Sequence, residues 1–376
     1  MSQRSAEIIV IGGGVIGLAV ARALAIRGAH DVLLLERAEL GRESSFAAAG
    51  MLAPQAEADE QDEFFQLASQ SRDLYPAFAS SLLEETGIDV ELDTKGTLYL
   101  AFTPPDIAEI EQRYYWQKQA GLRVEKLNSS EVRLLEPSVS ANVCAGLKFP
   151  DDIQVENRRL LQALVDACTN YRVRLMPDTL VTAIQLNGSR VQGVQTSRGA
   201  FSTSTVIVAG GAWTNSISGL PEIPIEPVRG QMLCFQGQSG VPRHVIYSPR
   251  GYVVPRRDGR LLAGSTSERV GFNKVVTDAG IQAIKASTAE ISGILSSLPI
   301  IDSWAGLRPR APDNLPVLGP YDEIDGLVYA TGHYRNGILL APITGELIAQ
   351  AIIDKVLSPS LTPFVAGRFR LVTAAQ

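Results

Sequence analysis

Cysteine and histidine are scarce, with three of each in 376 residues. Cys144, Cys168 and Cys234 lie far apart and are odd in number. They build neither a disulfide framework nor a metal-ligand spacing, so no metal and a reduced, cytoplasmic compartment are expected. Excess positive charge is also absent. Against 40 Asp and Glu stand 34 Lys and Arg, spread along the chain for a net charge of −6. That balance excludes the electrostatic footprint of a nucleic-acid binder. Repeats, low-complexity tracts and long linkers are missing as well. One stretch, EIIVIGGGVIGLAVARALAI at 7–26, is apolar enough for a membrane span or signal peptide. Its four glycines, the internal Arg22 and the lack of a cleavage-like site argue against both.

What is present is a large apolar fraction, 45% of residues, in a chain longer than one ordinary core. Two domains are therefore expected. EIIVI at 7–11 has the composition of a central parallel strand, followed by helical spacing through Ala25 and a stop at Gly28. A second strand follows in DVLLLE, 31–36, completing the opening of a doubly wound α/β unit. Residues 57–86 read as a helix, and the acidic run at its start as a solvated face near a helix N-terminus. From 88 onward the pattern is mixed: a strand in GTLYLAF, helices at 104–120 and 157–169, and short strands over 190–209. Strand-length pieces over 228–265 read as a largely antiparallel sheet. A helix over 275–297, a strand LVYAT and a helix from 337 to 355 complete the chain. The α/β signature recurs at the start, middle and end, which implies two domains threaded through each other.

The most informative local motif is IGGGVIG. Gly12, Gly14 and Gly17 supply the tight turn, the close backbone approach to a pyrophosphate and the close helix–strand packing of a dinucleotide site. A helix N-terminus behind them offers free N–H groups to phosphate. The motif follows a strand, precedes a helix and is answered by Glu36, 19 residues past Gly17, near the spacing at which an acid meets ribose hydroxyls. An acid there disfavours a 2′-phosphate, leaving NAD and FAD. The small-residue segment ESSFAAAGMLAP favours FAD, because its backbone can run close to a bulky flat ring.

Longer motifs carry a resemblance. VIGGGVIGLAVARALA, LLERAELGRESSFAAAGMLAPQAE, VIVAGGAWT, PVRGQML, YVVPRRDGRLLAGST, WAGLRPRAPDNLPVLG and GHYRNGILLAPITGE run in order across nearly the whole chain. The sequence resembles the amine-oxidising flavoproteins of the D-amino-acid oxidase and sarcosine oxidase family, and within it the glycine oxidase branch of thiamine biosynthesis. The resemblance implies an α/β fold with an α+β second domain: a Rossmann-type FAD-binding domain (1–85, 147–218, 305–376) interleaved with an antiparallel-sheet substrate domain (86–146, 219–304). FAD would lie extended and, with no cysteine after Cys234, non-covalently bound. Its contacts would come from Gly12, Gly14, Gly17, Glu36, Arg37, Ser44, Ser45, Ala48, Ala49, Gly50, Met51, Val181, Ala209, Gly210 and the run Gly332, His333, Tyr334, Arg335, Asn336, Gly337 and Ile338.

Amino-acid oxidation delivers a hydride from the α-carbon to flavin N5, so the protein must bind and orient the substrate. A carboxylate calls for a bidentate cation, and Arg308 matches the family's carboxylate-binding arginine. Tyr252 matches its tyrosine partner, and Arg335 is expected to face both flavin and substrate. Arg256 and Arg310 read equally well as structural ion pairs. No general base is expected: His30 and His244 have no partners in sequence, and His333 falls in a cofactor-proximal motif. Ser267 and Arg250 are candidates for altering the pocket. The implied reaction is oxidation of glycine, sarcosine or small D-amino acids by oxygen to imine, ammonia and hydrogen peroxide, feeding thiazole synthesis. The implied partners are the amino acid, oxygen, further copies of the chain and, functionally, thiazole synthase. Two alternatives stand beside it: a dehydrogenase passing electrons to a quinone, and a non-catalytic flavin-binding subunit of an oxidase complex.

Overall fold

The four apolar residues Ile8–Ile11 form β1, buried on both faces as a central strand requires. The chain turns at Gly12–Gly14 into α1, Val15–Ile26, and returns through β2, Val32–Leu35. Gly28, at φ +92°, reverses the chain after the helix, where a side chain would be strained. The computed structural model describes residues 4–369. The outermost ends of the expected FAD domain, 1–3 and 370–376, lie outside the described residues.

β1 and β2 sit in a six-stranded sheet with Arg174–Met176, Val206–Val208, Leu327–Thr331 and Val317–Pro320. β1 pairs in parallel with β2 on one side and Val206–Val208 on the other; only Val317–Pro320 runs antiparallel. One face carries helices α1, Glu63–Thr86, Asn157–Asn170 and Gly337–Ala349 over Ile8, Val10, Val32 and Leu34. The other face, Ile9, Ile11, Leu33 and Leu35, packs on a three-stranded sheet spanning Val181–Ser202. Side-chain alternation along each strand thus feeds two separate core layers.

A second, eight-stranded sheet has the order Ile300–Arg310, Glu226–Gln236, Arg260–Gly264, Gly251–Pro255, Val245–Ser248, Thr97–Ala101, Ala145–Phe149, Glu125–Asn128. The 228–265 region is antiparallel as expected, but Val245–Ser248 also pairs in parallel with Thr97–Ala101. The expected domain limits at 147 and 305 fall inside strands Ala145–Phe149 and Ile300–Arg310.

Caps account for the other departures. The helix expected from 57 begins at Glu63, because Asp62 accepts from the Phe65 N–H at 2.7 Å; Pro54–Glu57 is a separate short turn. The helix expected over 275–297 is Asp278–Ile291, capped by Thr277, and it breaks at Ser292. That residue is extended and its hydroxyl caps a new turn at Leu295. Beyond Ala349 the last helix widens into a π-helical turn, Gln350–Asp354. From Gly337 to Asp354 this helix is long and apolar enough to cross a membrane, yet 67% of it is buried inside the fold.

Candidate active site

Between the two sheets lies a cavity of about 1740 Å³, counting the solvent at its mouth. At one end, β1, its glycine turn and the end of β2 form the wall. Gly12 sits at φ +109°, and a Cβ there would lie 2.3 Å from the Ala209 carbonyl oxygen. A Cβ on Gly17 would meet the Gly12 oxygen at 1.9 Å, so this third glycine lets α1 pack against the turn. Glu36 is buried, and its carboxylate accepts from the Gly13 N–H at 2.7 Å and the Ala38 N–H at 3.0 Å. Glu36 also lines the cavity. Arg37 pairs with Glu43 and lies 3.6 Å over the Trp213 ring.

The small-residue segment is tied down by its own backbone. Asn157 donates to the Ser45 and Phe46 oxygens, Trp304 to that of Ala47 at 3.0 Å, and Arg256 to that of Ala49 at 2.8 Å. Ser44 donates to the Leu307 oxygen. A Cβ on Gly306 would come within 2.6 Å of Ala47, so glycine on the strand and alanine on the segment are required together. The C-terminal run is fixed the same way: the Tyr334 N–H donates to the Pro309 oxygen at 2.9 Å. Tyr334 itself adopts φ +45°, uncommon for a tyrosine.

At the far end stand Arg308, Tyr252 and Arg335. Arg308 donates to Ser265 Oγ at 2.7 Å and to the Thr266 oxygen at 3.0 Å, and among the described residues no acid pairs with it. Burial lowers its pKa from the ordinary guanidinium value, with Tyr252 acting in the opposite direction. Gly230 makes the space: a Cβ there would lie 2.2 Å from Arg308 Nη2. Tyr252 is buried, and its hydroxyl meets the sulfur of Met232 at 3.3 Å, a weak acceptor. Arg335 donates to the Tyr247 hydroxyl at 2.9 Å and lies 3.8 Å from Glu57 Oε1. His333 is buried, with Nε2 at 3.1 Å from Thr344 Oγ1, and burial pushes its pKa down to about 3.

Of the residues singled out from the sequence, every cofactor and substrate candidate lines this one cavity except Gly17, which acts behind the turn. Arg250 and Ser267 do not reach it. Arg250 pairs with Asp106 and Glu290, and Ser267 is exposed; the turn before Gly251–Pro255 aims residue 250 away from the face that presents Tyr252. Arg310 pairs with Glu226, and Arg256 is a buried clamp on Gln154, Val155, Asn157 and Ala49. Sequence reasoning missed Glu57, Gly230, Met232 and Tyr247. None of these residue types has a local signature, although Gly230 and Met232 lie within PVRGQML and Glu57 ends LLERAELGRESSFAAAGMLAPQAE; only Tyr247 falls outside the quoted motifs.

A glycine turn, an acid closing β2 and a long, mostly apolar cavity running from them to the second sheet have the form of a dinucleotide-binding site. The chain belongs to the FAD dependent oxidoreductase family, whose model matches residues 7–351. Glycine oxidase from Pseudomonas aeruginosa is 37% identical over 98% of this chain and 100% of its own length. The bifunctional protein ThiO/ThiG of Synechocystis is 35% identical over 99% of this chain, which spans only 55% of that protein. The crystal structure of glycine oxidase from Geobacillus kaustophilus superposes with a TM-score of 0.92 at 32% identity, covering 97% of this chain and 99% of that one.

The cofactor is FAD, and the residues present fit it. Helices α1 and Gly337–Ala349 both begin at the cavity, and neither N-terminal residue, Gly14 or Asn336, caps its helix with a side chain. Their first-turn N–H groups and positive dipole ends suit an anionic pyrophosphate and an electron-accepting ring.

Proposed function

We propose that this protein is an FAD-dependent glycine oxidase: glycine, oxygen and water give glyoxylate, ammonia and hydrogen peroxide. Sarcosine and small D-amino acids are further substrates in this reading. The observation that carries it is Arg308, a partly buried guanidinium on the cavity wall with polar neutral partners and, among the described residues, no acid. A partly desolvated cation without a counter-ion is unfavourable, and a substrate carboxylate supplies one.

Bound FAD supplies the hydride acceptor and its reoxidation by oxygen. Arg308 binds and orients the carboxylate, and the Tyr252 hydroxyl, held only by sulfur, turns to donate a second hydrogen bond. Met232, Tyr252 and Ala49 pack as one apolar group beside this end, limiting water at the α-carbon. His333, neutral above about pH 3, offers no proton acceptor that charges in the working range. In this reading the amine enters as the free base, so hydride transfer needs no general base. The two-sheet partition is read as a nucleotide part and a substrate part. The free cysteines suit a cytoplasmic setting, and we place the product upstream of thiazole synthesis for thiamine. Similarity to ThiO/ThiG and to glycine oxidases supports that placement.

The test is anaerobic bleaching of the bound flavin by glycine together with peroxide release in air. Arg308→Ala should abolish bleaching at millimolar glycine while keeping its FAD. Bleaching that survives in the variant overturns the role of Arg308; dye reduction without peroxide in the wild type overturns the oxidase.

A further inference from the structure

Three charged side chains share the substrate end of the cavity: Glu57, Arg308 and Arg335. Among the described residues no acid pairs with Arg308, whereas Arg335 belongs to a closed triangle. Its Nη2 donates to the Tyr247 hydroxyl at 2.9 Å, that hydroxyl donates to Glu57 Oε1 at 3.2 Å, and Glu57 Oε1 lies 3.8 Å from Nη2. The triangle is held from two sides. Tyr247 lies between Tyr99 and Tyr252, each ring centroid 5.7 Å away. Glu57 ends the Pro54–Glu57 turn, whose Gln55 and Ala56 N–H groups donate to buried Asp152 at 3.2 and 2.8 Å.

We infer that Glu57 is a specificity-determining residue: by occupying Arg335 it leaves one free cation at the site, and so admits amino acids with a single carboxylate while rejecting those with a second acidic group. This rests on the oxidase reading above. With Glu57 in place the three side chains sum to one positive charge, which one carboxylate neutralises. A second acid reaching toward Arg335 meets the Glu57 carboxylate first, and like charges repel even at these partly exposed side chains, 37% accessible for Arg335 and 24% for Glu57. The fields agree with the geometry: Glu57 is the main group raising the pKa of Arg335, and its charge also reaches Arg308. Glu57 acts through Arg335 and takes no part in the chemistry.

The test uses holoenzyme and two simple anions, acetate and malonate, whose dissociation constants are read from the perturbed absorbance of the bound flavin. Glu57→Gln keeps the shape and an acceptor for Tyr247 but frees Arg335. It should raise the preference for malonate over acetate about tenfold, and the gain should vanish in Glu57→Gln/Arg335→Gln. As a second variant, Arg335→Gln alone should lower the malonate preference below that of the wild type, because Glu57 is then uncompensated. A gain under threefold in Glu57→Gln, a gain that persists without Arg335, or an undiminished malonate preference in Arg335→Gln overturns the inference. Neither anion needs turnover. Failure of the wild type to oxidise glycine counts against the oxidase reading and leaves this measurement standing.

Discussion

Gly230→Ala tests the carboxylate site without touching a charge or a hydrogen-bonding group. The added Cβ would stand 2.2 Å from Arg308 Nη2 and 2.3 Å from Cζ and Nη1. Ordinary contact begins at 3.4 Å, so the guanidinium must retreat by about 1.2 Å. That takes Nη2 away from Ser265 Oγ, now at 2.7 Å, and shifts the cation relative to the substrate. Folding should tolerate the change. The obstructed atoms are the mobile end of a side chain, and the backbone at 230 is outside the left-handed region where alanine is strained. A misplacement of this size costs roughly a hundredfold in kcat/KM, about 2.7 kcal/mol of transition-state binding. The loss should appear mainly in KM for glycine, with FAD content unchanged and Tm within about 3 °C of the wild type. Peroxide-coupled kinetics and thermal melts measure both. A kcat/KM within threefold of the wild type would refute the claim that the present position of Arg308 holds the substrate.

His333 sets a pH dependence of stability. Burial holds its folded pKa at about 3 against the ordinary 6.5 of the unfolded chain, so the unfolded chain takes up the proton first and stability falls as pH drops below 6.5. Between pH 8 and pH 5 the wild type should lose about 2 kcal/mol more than His333→Gln in urea unfolding, and parallel curves would contradict the buried neutral imidazole. Arg256→Met removes a buried clamp from the Ala49 and Val155 carbonyls and one of two cations beside Glu156. It should cost about 3–5 kcal/mol and release FAD on gel filtration; an unchanged Tm would show that Arg260 alone satisfies Glu156.

Glu36 and the three glycines were legible because each acts within a unit of about thirty residues, where spacing along the chain maps directly onto spacing in the fold. Arg308, Tyr252 and Arg335 were legible only through longer motifs: nothing in WAGLRPRAP by itself says that its first arginine lacks an acid and its second, Arg310, has one. Local proximity misled once. Arg250 lies two positions before Tyr252, but the turn at the strand start aims it at Asp106 and Glu290. The helix over 57–86 was shortened by a single capping aspartate, Asp62, that composition counted only as charge.

The sequence by itself determined the βαβ opening, the kind of cofactor and the interleaved α/β and β-rich order, because periodicity, glycine spacing and caps act over short range. Tertiary structure alone decided the charge state of the substrate end. Glu57, Tyr247 and Arg335 come from three distant segments, and Gly230 faces Arg308 through pairing of strands Glu226–Gln236 and Ile300–Arg310. Which cation stays free depends on those registers, and no pattern within one segment encodes a distance between side chains on different ones.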